Sequence, residues 1–361
     1  MKRTPLFAVC LTAAVAADLA SGARLLGGFQ VTIPNTFTAG TPAVAAEVNE
    51  NFVAIASAVE SVADELSMRI DDVGAFENVL SVSPSGTTFA SVAAALASIA
   101  GASDTNRFLV QVGPGVFDEA SAVVVPAFVT LRGSGALATV VRSTRSSGSP
   151  SAAAATVVLE SGGAIENLSI ENSGTSATSV AVFGSGLSRS THIQGVVATA
   201  AGIGGSEHYA MAFEESDLLL TESQLSASGA SSANVAFGST DFSGPFAQPL
   251  LRDCLLDGDG TISGIGAEIS STAMGMEGCR INGDLRAIVA TVNGGSRIVD
   301  SQVTTLGLNP VYEVSGSASI LSGFVVFVGG NPDGNATRFK YVHCAKPNFD
   351  PVVNGFGSSI Q

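Results

Sequence analysis

Residues 250–260 read LLRDCLLDGDG. Within these eleven positions stand Arg252, Cys254 and three aspartates, Asp253, Asp257 and Asp259, in a chain otherwise dominated by Ala, Gly, Ser, Thr and Val. Carboxylates at this density have two uses. Two of them facing each other across a cleft can act as acid, base or nucleophile on an ester or a glycoside. A single Asp is also a turn residue, because its short polar side chain tolerates left-handed backbone. Just upstream, GSTDFSGPFAQPL inserts a loop carrying Asp241, Phe242, Pro245 and Phe246. The step of 17 positions from Phe237 to Cys254 exceeds the matching step in the neighbouring repeats, so this loop is expected to project from the scaffold. Exposed aromatic loops on rigid frames are common binding devices. The candidate catalytic set is therefore Asp241 as acid/base with Asp257 or Asp259 as nucleophile or cation ligand. The candidate contact set is Phe242, Phe246 and Arg252.

Other chemistries lack their residues. DGDG does not have the spacing of a helix-loop-helix calcium site and reads as a turn. No cofactor is expected, and calcium is the one cation the carboxylates suggest. His192, His208 and His343 supply no zinc set. No phosphate loop, dinucleotide fingerprint or nucleophile elbow is present.

The elements that must position these residues show themselves as a repeat. One station has the form apolar-x-(Asn/Asp/Gly)-x-x-apolar: IENLSI from Ile165, LTESQL from Leu220, LRDCLL from Leu251, MEGCRI from Met276 and IVDSQV from Ile298. A second station lies between them: SVAVF, YAMAF, ANVAF, IGAEI and VATV. Coils of this kind stack strand on strand into a solenoid. In the first station, Asn167, Glu222, Asp253, Gly278 and Asp300 share one column, which predicts a tight left-handed turn between two strands. The next column holds Ser223, Cys254, Cys279 and Ser301. Cys254 and Cys279 then stack on adjacent rungs at about the 4.8 Å strand spacing, which permits either a disulfide or two buried thiols.

Composition agrees. Only 13% of residues are charged, Trp is absent and Gly numbers 41, a profile for many short strands and tight turns. The net charge of −15 disfavours nucleic acid and anionic lipid as partners. At the start, Lys2 and Arg3 precede an apolar run from Leu6 to Ala17, with Ala14-Val15-Ala16 as a cleavage site. Residues 1–22 are read as a secretory signal that carries Cys10 away with it, followed by a linker over 23–42. The mature chain is expected to be secreted, extracellular or periplasmic, and not inserted in a membrane. Val48, Phe52, Ile55, Val59, Val62, Leu66, Arg69 and Val73 alternate by four and three, a heptad seam over a stalk at 43–79. β-Branched residues at alternate seam positions favour a homotrimer. In TTFASVAAALASIAG, Phe89, Val92, Leu96 and Ile99 share one helical face. The solenoid is assigned to 80–328 and a C-terminal cap to 329–361.

Several of these features resemble known families. The helix, then Gly115-Val116-Phe117 followed by Asp118 and Glu119, resembles the entry of pectin-lyase-like β-helices, pectinesterases included. Arg252-Asp253-Cys254, the apolar pair Leu255 and Leu256, and Asp257-Gly258 resemble the pectinesterase rung that precedes the nucleophile. That alignment puts the nucleophile position on Thr261. The glutamines that would steady an oxyanion have no counterpart, Gln248 lying on the wrong side, and the family's Gly-Arg-Pro-Trp segment is missing. The stretch IPNTFTAGTPAVAAEVNENF resembles segments that lead into short coiled coils of exported bacterial and phage-tail-like proteins. The resemblance implies an all-β, right-handed parallel β-helix with an N-terminal cap helix and a preceding coiled-coil helix. The rung is therefore read as inherited without its active site, and for function the first expectation is a non-catalytic β-helix that binds a polysaccharide or a cell surface, in the manner of an adhesin or tail spike. The alternatives are a carbohydrate-active esterase, lyase or glycosidase, and a structural surface or matrix protein.

Overall fold

The computed structural model describes residues 49, 51–52, 76, 78–85, 88–240, 248–260, 264–270, 273–291, 295–305, 312–314, 319–323, 325–328, 339–342 and 359–360. The chain divides into two compact units, Met1–Glu77 and Asn78–Gln361. In the first unit the described residues Asn49, Asn51 and Phe52 are helical, and Phe52, a seam residue, is exposed. The signal, the linker and the rest of the stalk lie outside the described residues. Among the described residues no helix is long and apolar enough to cross a membrane.

The second unit is a parallel β-solenoid. Its described strands form a twelve-stranded sheet, a nine-stranded sheet and an eight-stranded sheet, here sheets A, C and D. Each coil visits them in that order: Leu219–Thr221 in A, Gln224–Ser228 in C, Ala233–Thr240 in D, then back to A at Leu250–Arg252. Every pairing between sheet strands is parallel. Strand-to-strand crossovers within one sheet take the right hand, so the coil is a right-handed β-helix. The first station of the sequence spans the end of sheet A, the turn and the start of sheet C, and the second is sheet D. The repeat therefore builds three sheets rather than one per station.

The register is the one the repeat requires. Ile165, Ile193, Leu220, Leu251, Met276 and Ile298 are successive partners in sheet A. Ile170, Ala198, Leu225, Leu256, Ile281 and Val303 stack likewise in sheet C. Val157, Val182, Met211, Phe237, Ala267 and Ile288 do so in sheet D. All of these are buried in one continuous core. Each large apolar side chain so buried contributes roughly 1.5–3 kcal/mol. Phe213 and Phe237 stack on consecutive rungs with ring centroids 5.6 Å apart.

The near end is covered by the helix Val92–Ala97. Ser91 caps it by accepting from the Ala94 amide, and the buried Glu119 carboxylate accepts from the Val92 amide at 2.6 Å and from Ser91 Oγ at 2.8 Å. Val92 and Leu96 face the core, and Phe89 and Ile99 pack against it, the face the sequence pattern predicts. Sheet A runs on through Phe339–Val342 and Ser359–Ile360, in the region assigned to the C-terminal cap.

Candidate functional site

LLRDCLLDGDG is one corner of one coil. Leu250–Arg252 ends in sheet A, Asp253 makes the turn, Cys254 points inward, and Leu255–Gly258 enters sheet C. Asp253 has φ +53, and its column, Asn167, Gly195, Glu222, Gly278 and Asp300, is left-handed throughout. Gly195 belongs to a rung that the repeat pattern skipped. The glycines have a second reason to be there. A Cβ at Gly195 would fall 2.6 Å from Asn167 Oδ1, and one at Gly278 would collide with Asp253 Oδ1. Each Asx side chain lies over the glycine of the following rung.

The inward column anchors the corner. Ser223 and Ser301 hydroxyls donate to the carbonyls of Thr221 and Val299, at 2.8 and 2.7 Å. Cys254 Sγ reaches the Arg252 carbonyl at 3.1 Å and Cys279 Sγ that of Glu277 at 3.4 Å. Cys254 and Cys279 are free, buried thiols. The Cys279 sulfur beside it, together with burial, pushes the Cys254 thiol well up.

Outside the same corner runs an open groove of about 270 Å³ lined by Glu222, Gln224, Asp253, Leu255, Gly278 and Arg280. Gln224, Leu255 and Arg280 are register partners on the outer face of sheet C. Leu255 is half-buried and the other five are exposed. Arg252 sits on the neighbouring outer face of sheet A, exposed and paired with Glu277 at 3.1 Å. It continues a line of polar side chains in register: Gln111, Arg132, Glu166, Gln194, Thr221, Arg252 and Glu277. Within that line Arg132 Nε donates to Glu166 at 2.7 Å, and His192 Nε2 lies 3.0 Å from the other Glu166 oxygen. Burial pushes Glu166 upward, but the bonds from His192 and Arg132 outweigh it and hold this carboxyl below its usual range.

Asp257 and Asp259 stand on sheet C and just beyond it. Asp257 is half-buried and pairs in register with Asn282. Burial first, then the Asp284 carboxylate, holds Asp257 above the ordinary range. Asp259 is exposed and is raised chiefly by sharing a hydrogen bond with Asp284. Asp284 Oδ2 also accepts from the Gly260 amide at 2.9 Å. Their expected partner Asp241, with Phe242 and Phe246, lies outside the described residues, and so does Thr261. Among the described residues no three His, Cys, Asp or Glu side chains converge as a metal site.

Sequence reasoning did not single out a group on the outer face of sheet D. Gly238 pairs in register with Glu268 on the next rung. The Tyr209 ring lies over Gly238, 3.1 Å from where a Cβ would stand. Its hydroxyl reaches the Glu268 carboxyl. Burial, then the nearby Glu207 charge, raises Glu268, while burial and the two carboxylates raise Tyr209. Strand alternation in IGAEI is the signal that would have put Glu268 outside. The Ser179–His208 contact at 2.6 Å has the look of a catalytic dyad but is wholly buried. His208 Nε2 bonds the Gly202 carbonyl at 2.7 Å, and burial lowers its pKa, so the neutral ring serves as a turn anchor.

No family model matches the chain, and no curated protein matches it. Several solved structures match it at low identity. Pectin methylesterase from carrot is 15% identical, with 78% of this chain and 88% of that one covered and a TM-score of 0.43. The ORF18 protein of Geobacillus virus E2 is 13% identical, with 90% and 66% covered and a TM-score of 0.46. The Aspergillus niger pectin methylesterase is 16% identical, with 78% and 90% covered and a TM-score of 0.39. The all-β parallel β-helix rests on the chain's own strand pairing.

Proposed function

We propose that this protein is an exported, non-catalytic β-helix that contacts a polysaccharide or cell-surface glycan through the outer faces of its coil. The observation that supports this is the line of polar side chains on sheet A from Gln111 to Glu277, in register rung after rung. Strands about 4.8 Å apart present a hydrogen-bonding group at each step. A rigid row of this kind suits a long ligand made of repeating polar units. Arg252 lies in this row, and the 238–250 loop that precedes it in the sequence carries Phe242 and Phe246. The signal at 1–22 delivers the chain outside the cell, and the heptad seam at 43–79 joins three copies.

The test is to incubate the mature protein with a panel of insoluble and soluble polysaccharides, scoring retention and released product together. Retention on a glycan without product is the expected result. Turnover would overturn the non-catalytic reading, and no response to any glycan would overturn the glycan reading.

One observation favours an enzyme as the second reading. Asp257, raised by burial and then by the Asp284 charge, and Asp259, raised chiefly by its hydrogen bond with Asp284, both stand above the ordinary carboxylate range, and perturbed carboxyls gather at catalytic sites. Product release abolished by Asp257→Asn or Asp259→Asn would establish it, with Asp241→Ala testing the loop carboxylate.

A further inference from the structure

We infer that the corner groove between sheets A and C is a subsite for one ring of a neutral sugar chain, an inference that rests on the glycan reading above. The groove spans three coils. Glu222 comes from the first, Asp253 from the second, and Gly278 and Arg280 from the third. Its volume of about 270 Å³ lies just below that of pockets for drug-sized ligands, which suits a single ring rather than an enclosed extended ligand.

The chemistry of the lining matches the chemistry of a pyranose. The Glu222 and Asp253 carboxylates accept hydrogen bonds and so take hydroxyl protons. The Gln224 amide and the Arg280 guanidinium donate to hydroxyl or ring oxygens. Between Gln224 and Arg280, in register with both, Leu255 offers the apolar floor against which the C–H face of a ring packs. Gly278 keeps the groove open, since any side chain there would drive the Asp253 carboxylate out of its place.

Among the described left-handed members of its column, Glu222 is the only residue that is not Asn, Asp or Gly, the residues that hold such a backbone at least cost. Glu222 holds φ +51 without that advantage, as Glu215 and Phe128 do elsewhere in the coil. Glu reaches further than Asn or Asp, and this is the one rung where the longer carboxylate borders a groove.

Charge sets the ligand class. Two carboxylates line the groove beside a single guanidinium, on a chain of net charge −15. A polyanion such as a uronate polymer is repelled, and an uncharged glycan is not.

Full-length mature protein would be titrated by calorimetry with xylohexaose, cellohexaose, mannohexaose and polygalacturonate. Three variants accompany it: Gln224→Ala, Arg280→Ala and Glu222→Asn, the last keeping a residue suited to the left-handed turn. Arg142→Ala, at an exposed pair with Asp118 near the other end of sheet C, is the control. The expected result is binding of a neutral hexaose that weakens by about tenfold or more in each groove variant. Thermal melting should be unchanged in Gln224→Ala and Arg280→Ala and raised or unchanged in Glu222→Asn, where Asn suits the left-handed backbone better, and Arg142→Ala should bind as wild type. Neutral-glycan binding that survives all three substitutions overturns the subsite and leaves the glycan reading standing. Binding of polygalacturonate alone overturns the ligand class. No binding of any probe by the wild-type protein overturns both.

Discussion

Gly278→Ala tests the corner geometry most directly. The backbone there has φ +64, and an alanine held in left-handed backbone costs about 1–2 kcal/mol relative to glycine. The added Cβ would also collide with Asp253 Oδ1, with the Asp253 Cγ at 3.5 Å and the backbone nitrogen at 3.7 Å. The nearest atom is the end of a side chain, so Asp253 swings away while the backbone stays. An off-rotamer position of that size adds about 0.5–1.5 kcal/mol. The sum is about 1.5–3.5 kcal/mol. At roughly 2–4 °C per kcal/mol for a domain of this order of size, the melting temperature should fall by about 3–14 °C. The two terms separate in a double-mutant cycle. In an Asp253→Gly background the collision has no partner, so Gly278→Ala should cost only its backbone share. Thermal denaturation of the four proteins by circular dichroism gives the cycle. A zero coupling between positions 253 and 278, or no loss in Gly278→Ala alone, would refute the stacking of Asp253 over Gly278.

Three further outcomes follow from the same coordinates. Glu119→Gln weakens the charged acceptor for the Val92 amide and Ser91 hydroxyl, and should destabilise the protein by about 1–3 kcal/mol in chemical denaturation, most of it through the cap helix. Asp257, Asp259 and Glu268 are all raised in the folded state. Their stabilisation is therefore complete below the unfolded carboxyl range near pH ~4 and is lost as pH rises through their folded values. Asp284→Asn should flatten the part of the melting-temperature profile that comes from Asp257 and Asp259, and an unchanged profile would remove the like-charge account. Cys254 and Cys279 should resist an aromatic disulfide reagent in the native protein and react once it is denatured without reductant. Failure to react after denaturation would show them joined as a disulfide.

The coil was legible because its physics repeats. Inward positions must be apolar and turn positions must accept left-handed backbone, so Ile165, Leu220, Leu251, Met276 and Ile298 could be aligned before any register was known. The rung at Ile193 escaped because Val196, Val197 and Ala198 follow Gly195 as an unbroken apolar run, so no polar residue marks where sheet C begins. Sheet C was absorbed into the first station, since only two residues separate Arg252 from Leu255 and one motif covers both strands. The role of Glu119 was foreshadowed by its place after Gly115-Val116-Phe117, but its bond to the Val92 amide spans 27 positions. The site was less legible for a related reason. Its groove draws Glu222, Asp253 and Arg280 from three coils, and no window of sequence places them side by side. Tyr209 and Glu268 likewise meet two rungs apart, across a glycine whose reason is visible only when the ring is seen to lie on it.

Where the polar groups sit narrows where function can be. Inside the coil they are committed to the backbone. Ser223, Cys254, Cys279 and Ser301 hold one corner. At the next corner, Asn172 donates to the carbonyls of Ala154 and Val180, and His208 bonds Ser179 and Gly202. Buried polar atoms must be satisfied, and in a solenoid the nearest unmet partners are the carbonyls and amides of its own turns. Such residues hold the corner and are buried away from any substrate. The groups still able to bind something are those on the outer faces, where Gln224, Asp253 and Arg280 border solvent and Asp257 and Glu268 are half-buried. The outer faces are also long and flat, because every coil repeats the last. A compact substrate gains little from such a surface, whereas a polymer can meet the same kind of contact on each successive rung. That is the physical reason to look for an extended ligand first, and to look for it outside the coil.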